Sequence, residues 1–229
     1  MRNGTEVDVT LLKTRGQEYA VDLALARRCA TEEAARQEIF RQHADAVFRL
    51  AWRLVSNRAD AEDVLQEVFI QVFASITTYR GEASLRSWLH RVTVRTAGRY
   101  RRRVRRRRDR LSVVREKGIE ELATGDLRRI VESREALRRL WSLLDHVADG
   151  RRVVFVLHEV EGYTLPEVAA LLDISVTAAK KRVWRARRDL EKLARGDAVL
   201  RELFPDVSKS GDLRGPKDQS SSEDEKKDD

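Results

Sequence analysis

Apolar residues recur at spacings of three and four along much of the chain, which is the pattern of amphipathic helices. From Glu32 onward one such stripe predicts a first helix. Its apolar positions are Phe40, Ala44, Val47, Ala51 and Leu54. The polar residues 56–58 interrupt this stripe, and Asp60 is placed to cap a second helix. The apolar positions of that second helix are Ala61, Leu65, Val68, Val72 and Ile76.

A loop over residues 77–83, which contains Gly81, separates these two helices from a third. Ser84 starts the third helix, which then continues into an arginine-rich segment. The apolar positions of this helix are Leu85, Trp88, Leu89 and Val92. The three helices predict a first helical domain over residues 32–105. Residues 1–31 are predicted to be a partly helical extension of this domain, to which the pattern assigns no role.

The periodicity weakens over residues 106–133, which we predict to be a flexible linker. A second helical domain follows over residues 134–196. Its apolar positions are Leu137, Leu140, Leu144 and Val147, followed by the run 153–157. Residues 197–229 are rich in Ser, Lys, Asp and Glu and are predicted to be largely disordered. Because no segment alternates with period two, we expect an all-α fold of two small domains.

The most specific local signal is a capping box at Thr164 and Glu167, in which each side chain can bond to the other residue's backbone amide. A short helix starts there and ends near Asp173. A second helix starts at the cap Ser175, only a few residues later. Two helices joined by so short a turn predict a helix-turn-helix, with the second helix in the DNA major groove.

The second of these helices is strongly basic. Its cationic residues are Lys180, Lys181, Arg182, Arg185, Arg187 and Arg188. The alternative interpretation is a solvated helix face with salt bridges to Asp189 and Glu191. We favour DNA reading because the cap, the turn length and the charge placement agree independently.

The charge of the whole chain also indicates a polyanionic partner. There are 46 Lys and Arg residues against 38 Asp and Glu, a net charge of +8, and nine arginines lie within residues 99–110. A single cysteine, Cys29, rules out an internal disulfide, and the four histidines lie far apart, so we expect no metal site and no cofactor. Without an apolar run of 18 residues, we expect a cytoplasmic protein with no membrane insertion.

Three stretches, taken together, resemble the extracytoplasmic-function (ECF) sigma factors of the sigma-70 family. DAEDVLQEVFIQVF (60–73) is similar to the family's core-polymerase-binding helix. YRGEASLRSWLHRVTVRTAGRYRRR (79–103) is similar to its melting loop and promoter-element helix, and HEVEGYTLPEVAALLDISVTAAKKRVWRARRDL (158–190) to its helix-turn-helix. The resemblance implies an RNA polymerase sigma factor with region 2 over 32–105 and region 4 over 134–196. Such a protein binds core polymerase, recognises the minus-thirty-five and minus-ten promoter elements and helps to melt DNA.

The resemblance also implies roles for individual residues. The core-polymerase-binding positions are Asp63, Gln66 and Glu67. The minus-ten and melting positions are Tyr79, Arg80, Gly81, Glu82, Ala83, Ser84, Trp88, Arg91, Arg95, Arg99 and Arg102. The minus-thirty-five positions are Lys180, Lys181, Trp184 and Arg185. For the core-polymerase-binding set, the alternative is a surface helix that its charges keep soluble. For Trp88, the alternative is a position in the core rather than a platform on which a base stacks.

The chain departs from the family pattern at one of these positions and at two residues that directly precede the minus-thirty-five set. Many members carry Asn where this chain has Arg95, and a Thr-Val pair where it has Ala178 and Ala179. The promoter sequence is therefore not implied.

Other classes of protein remain open at this point. A free-standing helix-turn-helix regulator would bind its duplex site without polymerase, and an arginine-rich RNA-binding protein has only residues 99–110 in its favour. We do not expect an enzyme, because the sequence contains no phosphate loop, nucleophile elbow or paired carboxylates with a base. By analogy with the family, an anti-sigma factor is an expected partner besides core polymerase and promoter DNA.

Overall fold

A computed structural model describes residues 4–108, 137 and 139–195 of the 229-residue chain. Within these ranges every regular element is helical and none is a strand, so the fold is all-α as the sequence predicts. The helices are α1 (Gly4–Cys29), α2 (Glu33–Val55), α3 (Arg58–Ser75), α4 (Leu85–Arg108), α5 (139–144), α6 (Asp149–Phe155), α7 (Leu165–Leu172) and α8 (Val176–Ala194). A 3-10 turn (Ile76–Thr78) follows α3, and a π-helical turn (Val156–Val160) follows α6.

The chain divides into two compact units. Among the described residues, those up to Ser142 together with Ala170–Asp173 form the first unit. Leu143–Ala169 and the residues from Ile174 onward form the second. Helix α4 continues to Arg108, three residues into the predicted linker. Most of that linker and the whole of the predicted disordered tail lie outside the described residues.

The core of the first unit lies where α2, α3 and α4 pack against one another. Its fully buried side chains include Ile39, Leu50, Val64, Leu85 and Leu89. The prediction that Phe40 faces this core is wrong, because its side chain is 45% exposed and the preceding Ile39 is buried instead. Phe40 lies at the edge of the apolar stripe, where its ring packs at a tilt against that of Phe69, with a centroid distance of 4.7 Å.

The break between α2 and α3 is where the sequence places it, but its cap is a different residue. Ser56 ends α2 in the left-handed conformation, with φ 56°. Asn57 caps α3, since its side-chain oxygen accepts from the Asp60 amide at 3.0 Å. The predicted cap Asp60 is instead buried in the first turn, where Oδ1 accepts from the Tyr100 hydroxyl at 2.8 Å.

In the second unit the predicted capping box is present. The Thr164 amide donates to Glu167 Oε2 at 2.8 Å, and the Glu167 amide donates to Thr164 Oγ1 at 3.4 Å. Asp173 turns the chain in the left-handed region, with φ 57°. The Ser175 hydroxyl then caps α8 by accepting from the Ala178 amide at 3.1 Å. The start of α7, the turn after it and the start of α8 thus follow from local signals that the sequence carries.

The buried His90 makes the stability of the first unit depend on pH. Burial, together with the nearby cations Arg86, Arg53 and Arg49, lowers the pKa of His90 to about 3. The unfolded chain binds this proton near pH 6.5. The folded chain resists it until about pH 3, so the free energy of unfolding falls as the pH is lowered between these values. This group contributes up to about 1.4 kcal/mol per pH unit.

Denaturant unfolding at pH 7 and pH 5 measures the slope of the free energy of unfolding against pH. We expect His90→Gln to flatten it and His146→Gln, which alters an exposed histidine, to leave it unchanged. An equal slope in the wild type and His90→Gln would contradict the assignment.

Candidate functional sites

Helix α3 presents a polar, acidic face, here called the α3 face, made of Asp63, Gln66 and Glu67. Gln66 and Glu67 follow Asp63 by three and four positions, so each lies beside Asp63 on the helix. Asp63 and Gln66 are exposed, and Glu67 is half-buried. Ile70 follows one turn later and is 70% exposed. The structure thus brings the three predicted core-binding residues together beside an exposed apolar side chain.

The buried Tyr100 of α4 holds part of the α3 face in place. Its hydroxyl lies 2.8 Å from Asp60 Oδ1 and 3.2 Å from Asp63 Oδ2. Burial and the hydrogen bond to Asp60 raise the pKa of Tyr100, so the hydroxyl keeps the proton that it donates. Sequence reasoning missed this residue. The available signal was a tyrosine that continues the inward-facing positions Leu89, Thr93 and Thr96 at helical spacing.

A second network links Glu67 to the basic helix α4. Gln71 donates to Glu67 Oε1 at 3.1 Å, and its own side-chain oxygen accepts from Thr96 Oγ1 at 3.2 Å and from the Arg99 guanidinium. Arg99 also lies 3.9 Å from Glu67 Oε1. Arg99, predicted to contact DNA, is therefore partnered within the protein, and Gln71 is a residue that the sequence did not single out.

The loop between the 3-10 turn and α4 is closed by Tyr79. This side chain is 6% exposed, and its hydroxyl donates to the Ala83 carbonyl at 2.6 Å. Its ring lies 5.8 Å from that of Trp88, which is half-buried. Burial raises the pKa of Tyr79 to about 12, so the phenol is neutral at physiological pH. Tyr79 therefore shapes the loop, and the exposed side chains of the loop are Arg80, Glu82 and Ala83.

Ser84 and the next helix complete this part of the predicted minus-ten surface. The Ser84 hydroxyl accepts from the Ser87 amide at 3.2 Å and so caps α4, as the sequence predicts. Further along α4, four predicted DNA contacts fall within one quarter of the helix circumference. They are the half-buried Arg91 and the exposed Arg95, Arg99 and Arg102.

Two neighbouring arginines of the cluster serve the fold. Arg101 donates to the Leu54 carbonyl at 2.8 Å, and the Arg103 guanidinium lies 5.0 Å from the centroid of the Tyr100 ring. The arginine cluster is thus not uniformly available for DNA.

Helix α8 separates its apolar and basic residues onto opposite faces. The inward positions Ala179, Val183, Ala186 and Leu190 are buried. The predicted minus-thirty-five residues lie on the other side, and together they form what we call the α8 face. Lys180 and Arg185 are exposed, and Lys181 and Trp184 are half-buried.

Two ion pairs fix α8 on the rest of the second unit. Arg187 Nη2 lies 2.7 Å from Glu159 Oε1 in the π-helical turn, and Asp189 Oδ2 lies 2.6 Å from Arg151 Nη1 in α6. Both pairs lie beside the α8 face rather than on it. The alternative interpretation has salt bridges to Asp189 and Glu191. Asp189 pairs with Arg151 of α6, whereas Glu191 Oε1 lies 4.0 Å from Arg195 Nη2 one turn later.

In the part of the chain that the structure describes, no helix is long and apolar enough to cross a membrane.

The sequence matches two parts of one family. Residues 39–107 match Sigma-70 region 2, and residues 137–190 match Sigma-70, region 4. The ECF RNA polymerase sigma factor SigE of Mycolicibacterium smegmatis is 34% identical over 154 residues, which are 67% of this chain and 59% of that protein. The chain therefore spans less than two thirds of that relative. The ECF RNA polymerase sigma-E factor of Haemophilus influenzae is 29% identical over 182 residues, which cover 76% of this chain and 95% of that protein.

Solved structures agree with these matches. CnrH, in complex with the cytosolic domain of CnrY, has a TM-score of 0.56 and 26% identity, covering 77% of this chain and 99% of that one. The sigma factor RpoE, in complex with the anti-sigma factor NepR from Bartonella quintana, has a TM-score of 0.57 at 23% identity and shares the fold. Family members are transcription initiation factors rather than enzymes. The two region matches in order, the ECF relatives and the shared fold together show that the chain belongs to the ECF sigma factors of the sigma-70 family.

Proposed function

We propose that this sigma factor binds core RNA polymerase through the α3 face and reads the two promoter elements with separate surfaces of its two units. The observation that carries the proposal is the placement of Asp63, Gln66 and Glu67 on one accessible face, supported from beneath by Tyr100 and Gln71. Two acidic side chains fixed in this way complement a basic partner surface, and prior ordering lowers the entropic cost of binding.

The minus-ten element is assigned to the loop 79–84 and to α4. Opening DNA unstacks bases at a cost of a few kcal/mol per step, so an exposed base and strand must be held. The closed loop provides a fixed edge with Arg80 and Glu82 at its surface. The exposed Arg95 and Arg102 then follow one face of α4 toward the backbone phosphates, whereas Arg91 Nε donates to the Leu171 carbonyl at 3.1 Å.

The minus-thirty-five element is assigned to the α8 face. Residues near the N-terminus of a recognition helix contact base edges, and Lys180, Lys181 and Arg185 lie in the first three turns of α8. Lys and Arg side chains there suit guanine edges and phosphates, and Trp184 adds an apolar contact or packs within the face.

An anti-sigma factor is a further expected partner. The solved relatives CnrH and RpoE each have a bound partner, CnrY in one case and the anti-sigma factor NepR in the other. A protein that covers the α3 face or the α8 face of this chain would hold it inactive.

A free-standing regulator is the competing function, and duplex binding distinguishes the two. The experiment measures binding of the purified chain, with and without core polymerase, to the DNA upstream of its own gene. We expect specific, salt-sensitive binding chiefly when core polymerase is present. Equally tight and specific binding by the chain alone would favour the regulator.

A further inference from the structure

Helix α1 lies outside both matched regions, which begin at residue 39 and residue 137. It nevertheless packs against α2, the 3-10 turn and α4. Its C-terminal half contributes Leu25, Ala26 and Cys29 to the buried interior. This half of α1 is therefore an integral part of the first unit and reaches the elements on both sides of the loop 79–84.

Asp22 of α1 makes a long-range cap on α4. Its Oδ2 accepts a hydrogen bond from the Leu85 amide at 2.7 Å, although the two residues are 63 positions apart. The first amides of a helix have no partner within the helix, and a negative charge there is favourable. Since the Ser84 hydroxyl serves the Ser87 amide, α4 is capped once from the loop and once from α1.

The same turn of α1 lies against the loop itself. Gly81 has φ +71°, and a Cβ added there would lie 3.4 Å from the side chain of Leu23 and 3.6 Å from the Tyr19 carbonyl oxygen. The Asp22 carboxylate is also close enough to Tyr79 to add to the effect of burial on the pKa of that phenol. Asp22 and Leu23 thus tie α1 to the end and to the middle of the loop.

We infer that α1 is a positioning element for the minus-ten loop, in which Asp22 fixes the first turn of α4 and Leu23 supports Gly81. This inference rests on the proposed role of the loop. A loop held in shape before it meets DNA loses less conformational entropy on capturing a base. Asp22 acts through the loop backbone and need not touch DNA.

The test compares full-length Asp22→Ala and Asp22→Asn with the wild type, each assembled with core polymerase. The probe is a forked DNA with an unpaired minus-ten segment, taken from a promoter on which the wild-type holoenzyme initiates. We expect Asp22→Ala to weaken binding to the fork by up to about fivefold, the factor that corresponds to the stability a helix typically loses with its N-cap. Asp22→Asn keeps an acceptor oxygen and should recover most of the affinity.

Two further readouts separate positioning from a general loss of structure. Affinity for core polymerase should be unchanged in Asp22→Ala, and hydrogen exchange at the Leu85 amide should be faster. The matched control is Glu18→Ala, which removes an exposed acid one turn earlier on α1 and should behave as the wild type. Leu23→Ala keeps the cap, removes the support under Gly81 and should weaken fork binding in the same direction.

The inference and the proposed function fail in different ways. If the wild-type holoenzyme does not distinguish the fork from fully paired DNA, the proposed role of the loop is wrong. If it does, and both Asp22→Ala and Leu23→Ala bind the fork within twofold of the wild type, the positioning role is overturned. A parallel loss of core affinity in these variants would also overturn it.

Discussion

Reversing both charges of the α3 face, with Asp63→Lys and Glu67→Lys together, is expected to lower the affinity for core polymerase by about 100-fold, or roughly 3 kcal/mol. The two lysines would meet a partner surface that we expect to be basic, and like charges at close range are strongly unfavourable. The measurement is a titration of labelled chain with core polymerase at fixed ionic strength. Raising the salt concentration should narrow the difference in core affinity between the variant and the wild type, because screening weakens both attraction and repulsion.

The matched control is Glu33→Lys, which changes an exposed acid on α2 and leaves the α3 face intact. It alters net charge by the same amount per site, so it reports any effect of overall charge on association. Thermal unfolding of each variant shows that the fold is retained. Asp63→Lys and Glu67→Lys are also measured singly. If Glu33→Lys lowers the affinity for core polymerase as much as either of them does, the α3 face has no special role in binding.

The second large effect is expected at the α8 face. Arg185→Ala should cost about 1–3 kcal/mol in discrimination between the preferred minus-thirty-five sequence and a mismatched one. The reason is that Arg185 is exposed in the third turn of α8, where recognition helices meet base edges. Competition binding of the holoenzyme to a library randomised at this element measures the change. We expect selectivity to relax at one or two base pairs.

Lys192→Ala is the matched control for this prediction. Lys192 is exposed on the same side of α8, two turns after Arg185, and loses the same charge. A cation at that distance from the helix start would contact phosphate at most, so its loss should weaken binding evenly across sequences. Equal relaxation of selectivity by both variants would contradict the assignment of the α8 face.

The fold class and the helix-turn-helix were predictable because their signals are local. The capping box joins residues three positions apart, and the cap Ser175 directly precedes α8. The three stripes of the first unit were likewise correct in outline. Phe40 was misplaced because it stands one residue from the centre of its stripe, where periodicity does not decide between the core and its edge.

The contacts that support the candidate sites were not predictable in the same way. Asn57 and Asp60 are both good cap residues, but Asn57 is the cap, and Asp60 bonds to Tyr100, which is 40 positions further along the chain. The partnership of Arg99 with Gln71 and the cap from Asp22 to Leu85 also join distant parts of the chain. Such pairings depend on how α1, α3 and α4 pack, and no short pattern in the sequence records them.

Transcription in vitro is the decisive test of whether this chain directs core polymerase to promoters. Purified core polymerase is supplied with a pool of genomic fragments, including the DNA upstream of this gene, with and without the chain. We expect discrete new transcripts that require the chain and disappear with the Asp63→Lys, Glu67→Lys double variant. An absence of new transcripts, although the chain binds a duplex site specifically without polymerase, would contradict this role.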